Sequence, residues 1–155
     1  MNREFEIIAE IESAFDGSFE KPAKVTKYGV NDPEDYDGEG ESVEEFYNQR
    51  DWKDVRFQCV GGYLISSYLK TEALLYYLPS ILISILQDKN PKTDFTDCAF
   101  LYFGNPKWFD KRMERVKSAL NERQKSVLVA AFVEANSWNG WYSQETEFIT
   151  NKFKC

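Results

Sequence analysis

The sequence predicts a mainly α protein, a single-domain helical bundle with a long acidic loop near the N-terminus. Apolar residues recur three and four positions apart in several segments, which is the spacing of one helix face. Ser42 with Glu45 and Asn121 with Gln124 have the spacing of helix-capping pairs. The 155 residues, 43% of them hydrophobic, suffice for one core, so residues 1–155 are predicted to form one domain.

The first predicted helix runs from Phe5 to Phe15 and ends at Asp16-Gly17. Its glutamates lie on the outward faces, and the segment lacks the basic and apolar regions of a signal peptide. The face predicted to pack inward consists of Phe5, Ile8, Ile11 and Phe15.

A long loop is predicted to follow, because glycines and prolines are scattered over residues 16–41 without a sustained period. We place its acidic part at residues 31–45. Ser42 followed by Glu45 predicts a capping box, and hence a helix that continues towards Gln49.

Residues 51–69 combine two conflicting patterns. Trp52, Val55 and Cys59 share one helical face, whereas Gly61-Gly62 interrupts it. We predict a helix to about Cys59 and a second turn or short helix from residue 64 to residue 69.

The most apolar segment, residues 71–88, is predicted to be the central helix of the core. Pro79 lacks an N–H and clashes with the carbonyl four residues back, so a kink is predicted there. The segment is shorter than the roughly 20 apolar residues of a membrane span, and it contains Glu72. It is therefore predicted to be a core helix and not a membrane element.

The C-terminal half is predicted to contain three further helices, with residues 95–103 open between helix and strand. A charged, exposed helix follows, with its apolar residues at Trp108, Met113, Val116 and Leu120. Asn121 caps the next helix, whose inward residues are Val127, Leu128, Ala131 and Phe132. Ser143 begins a terminal helix.

The residue types argue against most catalytic sites. The chain has no histidine, which excludes Ser-His-Asp and Cys-His sites and zinc sites containing histidine. Its three cysteines form no CxxC, and no phosphate-binding glycine motif is present. An EF-hand-like spacing places Glu44 at the last ligand position, but Pro33 occupies the first. We expect no enzymatic activity, no cofactor and no metal.

A nucleic-acid partner is likewise not expected. Residues 107–117 combine five basic side chains with Trp108 and Phe109, a composition that superficially suits phosphates and bases. Asp110 and Glu114 interrupt the run, as partners of nearby cations on a helix surface do. We interpret this segment as a solvated charged helix.

Negative charge is concentrated at the N-terminal end. Residues 1–50 hold 14 acidic and 5 basic side chains, and the remainder holds 12 and 14, for a total charge of −7. Such a field attracts basic partners and repels nucleic acid and anionic membranes. A loop that only aids solubility is the alternative. The candidate partner-binding residues are Asp32, Glu34, Asp35, Tyr36, Asp37, Glu39 and Glu41.

Two segments resemble the paired motifs of a bacterial family of unknown function, a YYLP helix and a later Q-x-x-x-V-x-x-F helix. The matches are Glu72, Ala73, Tyr76, Tyr77, Leu78, Pro79 and Leu82, then Leu120, Gln124, Val127 and Phe132, with Trp52 upstream. The resemblance covers residues 42–135. It implies a small, mostly helical bacterial cytoplasmic protein, and it carries over no catalytic residue.

The function that these features favour is a non-enzymatic bacterial immunity protein, which binds and neutralises a cognate basic, nuclease-type toxin domain in the cytoplasm. Three cysteines without a pairing pattern suit a reducing compartment. The alternatives are a phage or mobile-element inhibitor of a host defence enzyme, and a carboxylate-dependent hydrolase. A turn around Trp138 and Trp141 is the alternative contact surface.

Overall fold

A computed structural model describes residues 3–26, 39–57, 65, 69–88, 93–138 and 140–154. Within these ranges the chain forms seven helices, a 3-10 turn at Trp52–Asp54 and no strand, apart from an isolated antiparallel bridge between Thr26 and Leu69. The predicted mainly α, single-domain bundle is confirmed. The helices are α1 Arg3–Phe15, α2 Glu39–Tyr47, α3 Thr71–Gln87, α4 Asp94–Gly104, α5 Lys111–Ala119, α6 Glu122–Ser137 and α7 Ser143–Lys152.

Helix α3 is the centre of the molecule, as its apolar sequence predicts. Every residue from Ala73 to Leu86 is buried, and α1, α4, α5 and α6 pack around the helix. The helix continues through Pro79 without a break, and the predicted kink at this residue stays a prediction. A helix that is covered on every side takes its stability from packing, which offsets the hydrogen bond that the proline removes.

Polar side chains of α3 hold the segment that precedes it in the core. Tyr77 Oη donates to the carbonyl of Arg50 at 2.6 Å, and Ser80 Oγ donates to the carbonyl of Val55. Ser84 Oγ accepts from the N–H of Phe57 at 3.0 Å. The second tyrosine of the YYLP motif, Tyr77, thus forms a hydrogen bond with the backbone of this segment. Ser80 and Ser84, which follow the motif, form two more.

The helix predicted up to Cys59 is wrong at residues 55–57. Val55 has extended backbone, with φ −108° and ψ 129°, and the helical assignment ends with the turn at Asp54. The side chains of α3 satisfy the backbone groups of Val55 and Phe57, so this segment has no need of helical hydrogen bonds. Residues 58–64 lie outside the described residues.

Helix α1 buries a different face from the predicted one. Phe5 is 63% exposed, Ile8 is half-buried, and the buried residues are Glu4, Ile7, Ile11, Ala14 and Phe15. Helices α3 and α6 pack against α1, and Gln124 Nε2 of α6 donates to the carbonyl of Ala14 at 3.1 Å. The predicted Asn121–Gln124 capping box is confirmed, with both reciprocal hydrogen bonds present.

The segment left open between helix and strand is helix α4, which packs against α7. The two helices approach so closely that a Cβ built on Gly104 would lie 2.6 Å from the Cβ of Glu145 and 2.8 Å from its carbonyl oxygen. Nearby, the rings of Phe100 and Tyr142 stack with centroids 4.0 Å apart and planes at 4°. Only a residue without a side chain fits at position 104.

Helix α5 is less exposed than predicted. Met113 and Val116 are buried as expected, but Arg112 is only 9% exposed. Its guanidinium donates to the carbonyl of Leu69 at 3.2 Å and lies 5.7 Å from the ring centre of Tyr102. Trp108, predicted as one of the apolar residues of this helix, precedes the helix and is 48% exposed. The basic segment is therefore partly structural.

Candidate protein-binding site

The predicted acidic loop is wrong over its second part, because α2 begins at Glu39. Ser42 therefore lies inside α2 and does not cap it. Acidic residues in a first turn are stabilised by the positive end of the helix dipole, and Val43 and Tyr47 bury the opposite face. Glu41 is exposed on this helix, and Glu39 is its first residue. Five predicted contact residues lie outside the described residues: Asp32, Glu34, Asp35, Tyr36 and Asp37.

Glu44, the last position of the EF-hand-like spacing, has a structural role. Its carboxylate accepts hydrogen bonds from the backbone N–H groups of Val25 and Thr26 at 2.9 and 3.0 Å. The hydroxyl of Thr26 donates a third at 2.8 Å. Both of these residues are buried, so the carboxylate replaces the water that their N–H groups lose on folding.

Several other carboxylates of the N-terminal part face solvent. Two of them pair with lysines: Asp16 lies 3.5 Å from Lys53 Nζ, and Asp51 lies 3.1 Å from Lys21 Nζ. The Lys21 ammonium holds the pKa of Asp51 below its usual value. The exposed acidic residues before Arg50 are Glu10, Glu12, Asp16, Glu20, Glu41 and Glu45. Most of the acidic charge predicted from composition is thus at the surface in the described part of this region.

The alternative contact region around Trp138 and Trp141 is followed in the chain by Tyr142, which lines a small cavity that the sequence did not predict. Trp141 is 54% exposed, and Trp138 is half-buried. The cavity, of about 260 Å³, lies between α4 and the start of α7. It is lined by Asp97, Phe100, Leu101, Tyr142 and Glu145.

Two aromatic residues and two carboxylates are among the residues that line the cavity. The rings of Phe100 and Tyr142 stack face to face on each other, and the Tyr142 hydroxyl donates to Asp97 Oδ1. Burial, followed by that hydrogen bond and the negative charges of Asp97, Asp88 and Glu145, raises the pKa of Tyr142 well above its usual value. The phenol is therefore neutral and a donor at physiological pH.

A groove of about 680 Å³ lies where the chain after α1 passes the start of α3. Residues 18–24 form one side, with Lys70, Glu72 and Leu75 on the other. A smaller cavity of about 340 Å³ on the other side of Lys70 is lined by Arg112, Arg115 and Asp110, among others. Both contain lysine or arginine together with carboxylates, so neither has the uniform charge that would select one ligand class.

Few described residues have the features of a catalytic or metal-binding group. Among the residues that the structure describes, no three His, Cys, Asp or Glu side chains are grouped so that they could hold a metal ion. Burial, with help from Asp94 and Asp97, raises the pKa of the Cys98 thiol, which disfavours the nucleophilic thiolate. Within the same ranges, no helix is long and apolar enough to cross a membrane.

Comparison with known proteins gives one match. Neither the curated proteins nor the solved structures returned a significant similarity to this chain. A family described as a family of unknown function matches residues 3–147. Because the match spans nearly all of the sequence, the chain belongs to this family of unknown function, DUF6714.

Proposed function

We propose that this protein is a non-enzymatic immunity protein, which binds a basic, nuclease-type toxin domain in the bacterial cytoplasm and blocks it. The observation that carries the proposal is the concentration of negative charge in the first 50 residues, which contain 14 acidic side chains and only 5 basic ones. Exposed carboxylates on α1 and α2, including Glu10, Glu12, Glu41 and Glu45, support it.

The physical reason is electrostatic complementarity. A nuclease domain needs a cationic surface to hold phosphates, and an acidic protein competes for that surface. Clustered charge accelerates association, while affinity also requires a buried anchor at the centre of the interface. We assign the steering role to Asp32, Glu34, Asp35, Asp37, Glu39 and Glu41, and the anchor role to Tyr36.

The first experiment tests neutralisation. The gene beside the one for this chain is expressed in a sensitive host with and without this protein, and growth is measured together with DNA and RNA integrity. Protection that requires direct binding supports the proposal. A neighbouring gene from a phage operon, with binding to a host defence enzyme instead, supports the phage-inhibitor alternative. Absence of protection and of binding by any neighbouring product overturns the immunity role.

The second experiment tests the role of the acidic surface, once a toxin that binds this protein has been identified. Reversing Asp35, Asp37 and Glu39 to Lys is expected to lower the association rate by about tenfold or more, with affinity falling as salt increases. The matched control reverses Glu72, Glu114 and Glu122, three exposed carboxylates outside this region, and changes net charge equally. An equal loss of association rate in both variants would show that the effect comes from the overall charge and not from this surface.

The anchor role has its own readout. Tyr36→Ala is expected to raise the dissociation rate and leave the association rate nearly unchanged, because a buried aromatic residue resists dissociation. Surface plasmon resonance at two salt concentrations separates the two rates. An unchanged dissociation rate would remove Tyr36 from the interface.

A further inference from the structure

We propose that the surface around Trp108, at the start of α5, binds single-stranded nucleic acid. This Trp108 surface consists of four exposed residues: Lys107, Trp108, Lys111 and Arg115. Proteins that bind single strands without sequence preference combine cations that follow the phosphates with an aromatic ring on which a base stacks. The inference does not depend on the proposed immunity function.

The carboxylates that interrupt this basic run in the sequence are bound elsewhere in the structure. Asp110 caps α5 and accepts from the N–H of Met113 at 3.1 Å. Glu114 lies 2.5 Å from Nζ of Lys152, a cation of α7 that is not part of the run. In the described ranges, three cations of the run form no salt bridge: Lys107, Lys111 and Arg115. The expectation that the segment has no nucleic-acid partner rested on pairing within the run, which neither carboxylate makes.

Aromatic neighbours hold the Trp108 ring at the surface. Phe109 turns inward and packs against Phe148 and Phe153, whereas Trp108 is 48% exposed. The rings of Trp108 and Tyr102 meet edge to face, with centroids 5.6 Å apart and planes at 80°. In either orientation of such a pair, the tyrosine leaves at least one face of the indole uncovered. A base can stack on that face.

The cations lie close enough to contact the same strand. Lys111 and Arg115 are one turn apart on the exposed face of α5. Trp108 precedes Lys111 by three residues, and three residues span at most about 11 Å. A strand with one base on Trp108 can therefore place neighbouring phosphates beside these cations.

Two sources of negative charge oppose this binding. Asp94 interacts electrostatically with the Tyr102 hydroxyl, but it lies in the first turn of α4, where the helix dipole offsets its charge. The total charge of −7 repels a polyanion at longer range, and salt screens that repulsion. We therefore expect weak binding, with a dissociation constant of about 10–100 µM, as in non-specific complexes.

The test uses the full chain and a fluorescein-labelled oligothymidylate of about 12 nucleotides, with binding followed by fluorescence anisotropy. The logarithm of the dissociation constant should rise with the logarithm of salt concentration with a slope of about 2, because three phosphate contacts contribute about 0.7 each. An oligomer of equal length made of abasic sites has the same phosphates without bases. It should bind about tenfold more weakly or worse, since it cannot stack on Trp108.

Variants matched in residue type localise the stacking contact. Trp108→Ala is expected to weaken oligothymidylate binding about tenfold and to abolish the preference over the abasic oligomer. Trp141→Ala removes another exposed tryptophan, which lies just before α7, and should leave the affinity within about twofold.

Variants matched in charge localise the phosphate contacts. Lys111→Gln with Arg115→Gln should lower the salt slope from about 2 to below about 1. Lys53→Gln with Lys125→Gln changes the net charge equally at positions outside the Trp108 surface and should leave the slope near its original value. Circular dichroism of each variant checks that the helices are retained.

Equal affinity for the abasic oligomer, or equal losses in the two tryptophan variants, would overturn the proposal. So would the absence of saturable binding at low salt. Poly-L-glutamate that binds as tightly as the oligothymidylate would assign the surface to acidic proteins instead. None of these probes contains a toxin, so failure here leaves the immunity function standing, and failure of the neutralisation experiment leaves this surface unaffected.

Discussion

The Glu44 carboxylate accepts the backbone hydrogen bonds of Val25 and Thr26, as a neighbouring strand would. This glutamate of the acidic helix α2 is therefore structurally important. It accepts from two backbone N–H groups and one hydroxyl, all on residues that are at most 2% exposed. Glu44→Ala would leave both N–H groups without that acceptor. We expect the free energy of unfolding to fall by about 2–4 kcal/mol, measured by urea denaturation.

The neighbouring residue supplies the control for this prediction. Glu45 is exposed on the same helix, so Glu45→Ala is expected to change the free energy of unfolding by less than about 0.5 kcal/mol. Glu44→Gln, which keeps one carbonyl oxygen, should fall between the two. Similar values for Glu44→Ala and Glu45→Ala would show that the contact contributes nothing to stability.

At the scale of elements, the closest approach is that of α4 and α7 at Gly104. In an uncrowded helix, glycine to alanine stabilises by about 0.5–1 kcal/mol. At Gly104 the added Cβ would lie 2.9 Å or less from three atoms of Glu145, two of them backbone. The two helices would have to separate, so we expect Gly104→Ala to destabilise the protein by about 1–3 kcal/mol, measured by thermal and urea unfolding.

Ser126→Ala, at an exposed position of α6, serves as the control for substitution within a helix and should stay within about 0.5 kcal/mol of the parent. A Gly104→Ala variant more stable than the parent would mean that α4 and α7 are not in contact at this point.

The central helix makes the second prediction at this scale. Leu78 and Leu82 lie one turn apart on α3 and are fully buried. Truncating either to alanine leaves a cavity in a core surrounded by other helices, and the free energy of unfolding should fall by about 2–5 kcal/mol. Gln87→Ala at the exposed end of α3 is the control. A loss much below 1 kcal/mol for Leu82→Ala would place the helix at the surface.

The helices also show which structural features can be predicted from neighbouring residues in the sequence. Helix α3, the Asn121–Gln124 cap and the start of α7 at Ser143 depend on neighbouring residues, and all three were predictable. The inward face of α1 was not, because Ile7 and Ile8 are adjacent and give two overlapping apolar stripes. Packing against α3 and α6, which come much later in the chain, selects one of them.

The same argument applies to residues 55–57 and to the cavity between α4 and α7. Val55 and Phe57 are extended because serines of α3 bind their backbone, which no pattern within that segment contains. Asp97 and Glu145 are separated by 48 positions, and each is unremarkable in its own helix. Acidity could be predicted from composition, whereas the pairing of distant side chains required the fold.

For the whole molecule, buried phenols couple stability to alkaline pH. Burial, with Tyr76 beside it, raises the pKa of Tyr77 from 10.0 to about 12. The folded state thus favours the neutral phenol. The contribution of Tyr77 to the free energy of unfolding is therefore complete below pH 10 and is lost between pH 10 and 12. Tyr77→Phe should reduce this decline, measured as urea midpoints at about pH 8, 10 and 11. Equal declines in both proteins would contradict the assignment.

The junction between α1 and α6 has a consequence for how the protein is made. Arg123 donates to Ser13 at 2.9 Å and Gln124 to Ala14, contacts that join residues 110 positions apart. At about 5–20 residues per second, α1 leaves the ribosome long before its partner exists. We expect nascent chains arrested at residue 120 to remain protease-sensitive and chains extended beyond residue 155 by a linker to become resistant. Early resistance would show that the N-terminal part folds without α6.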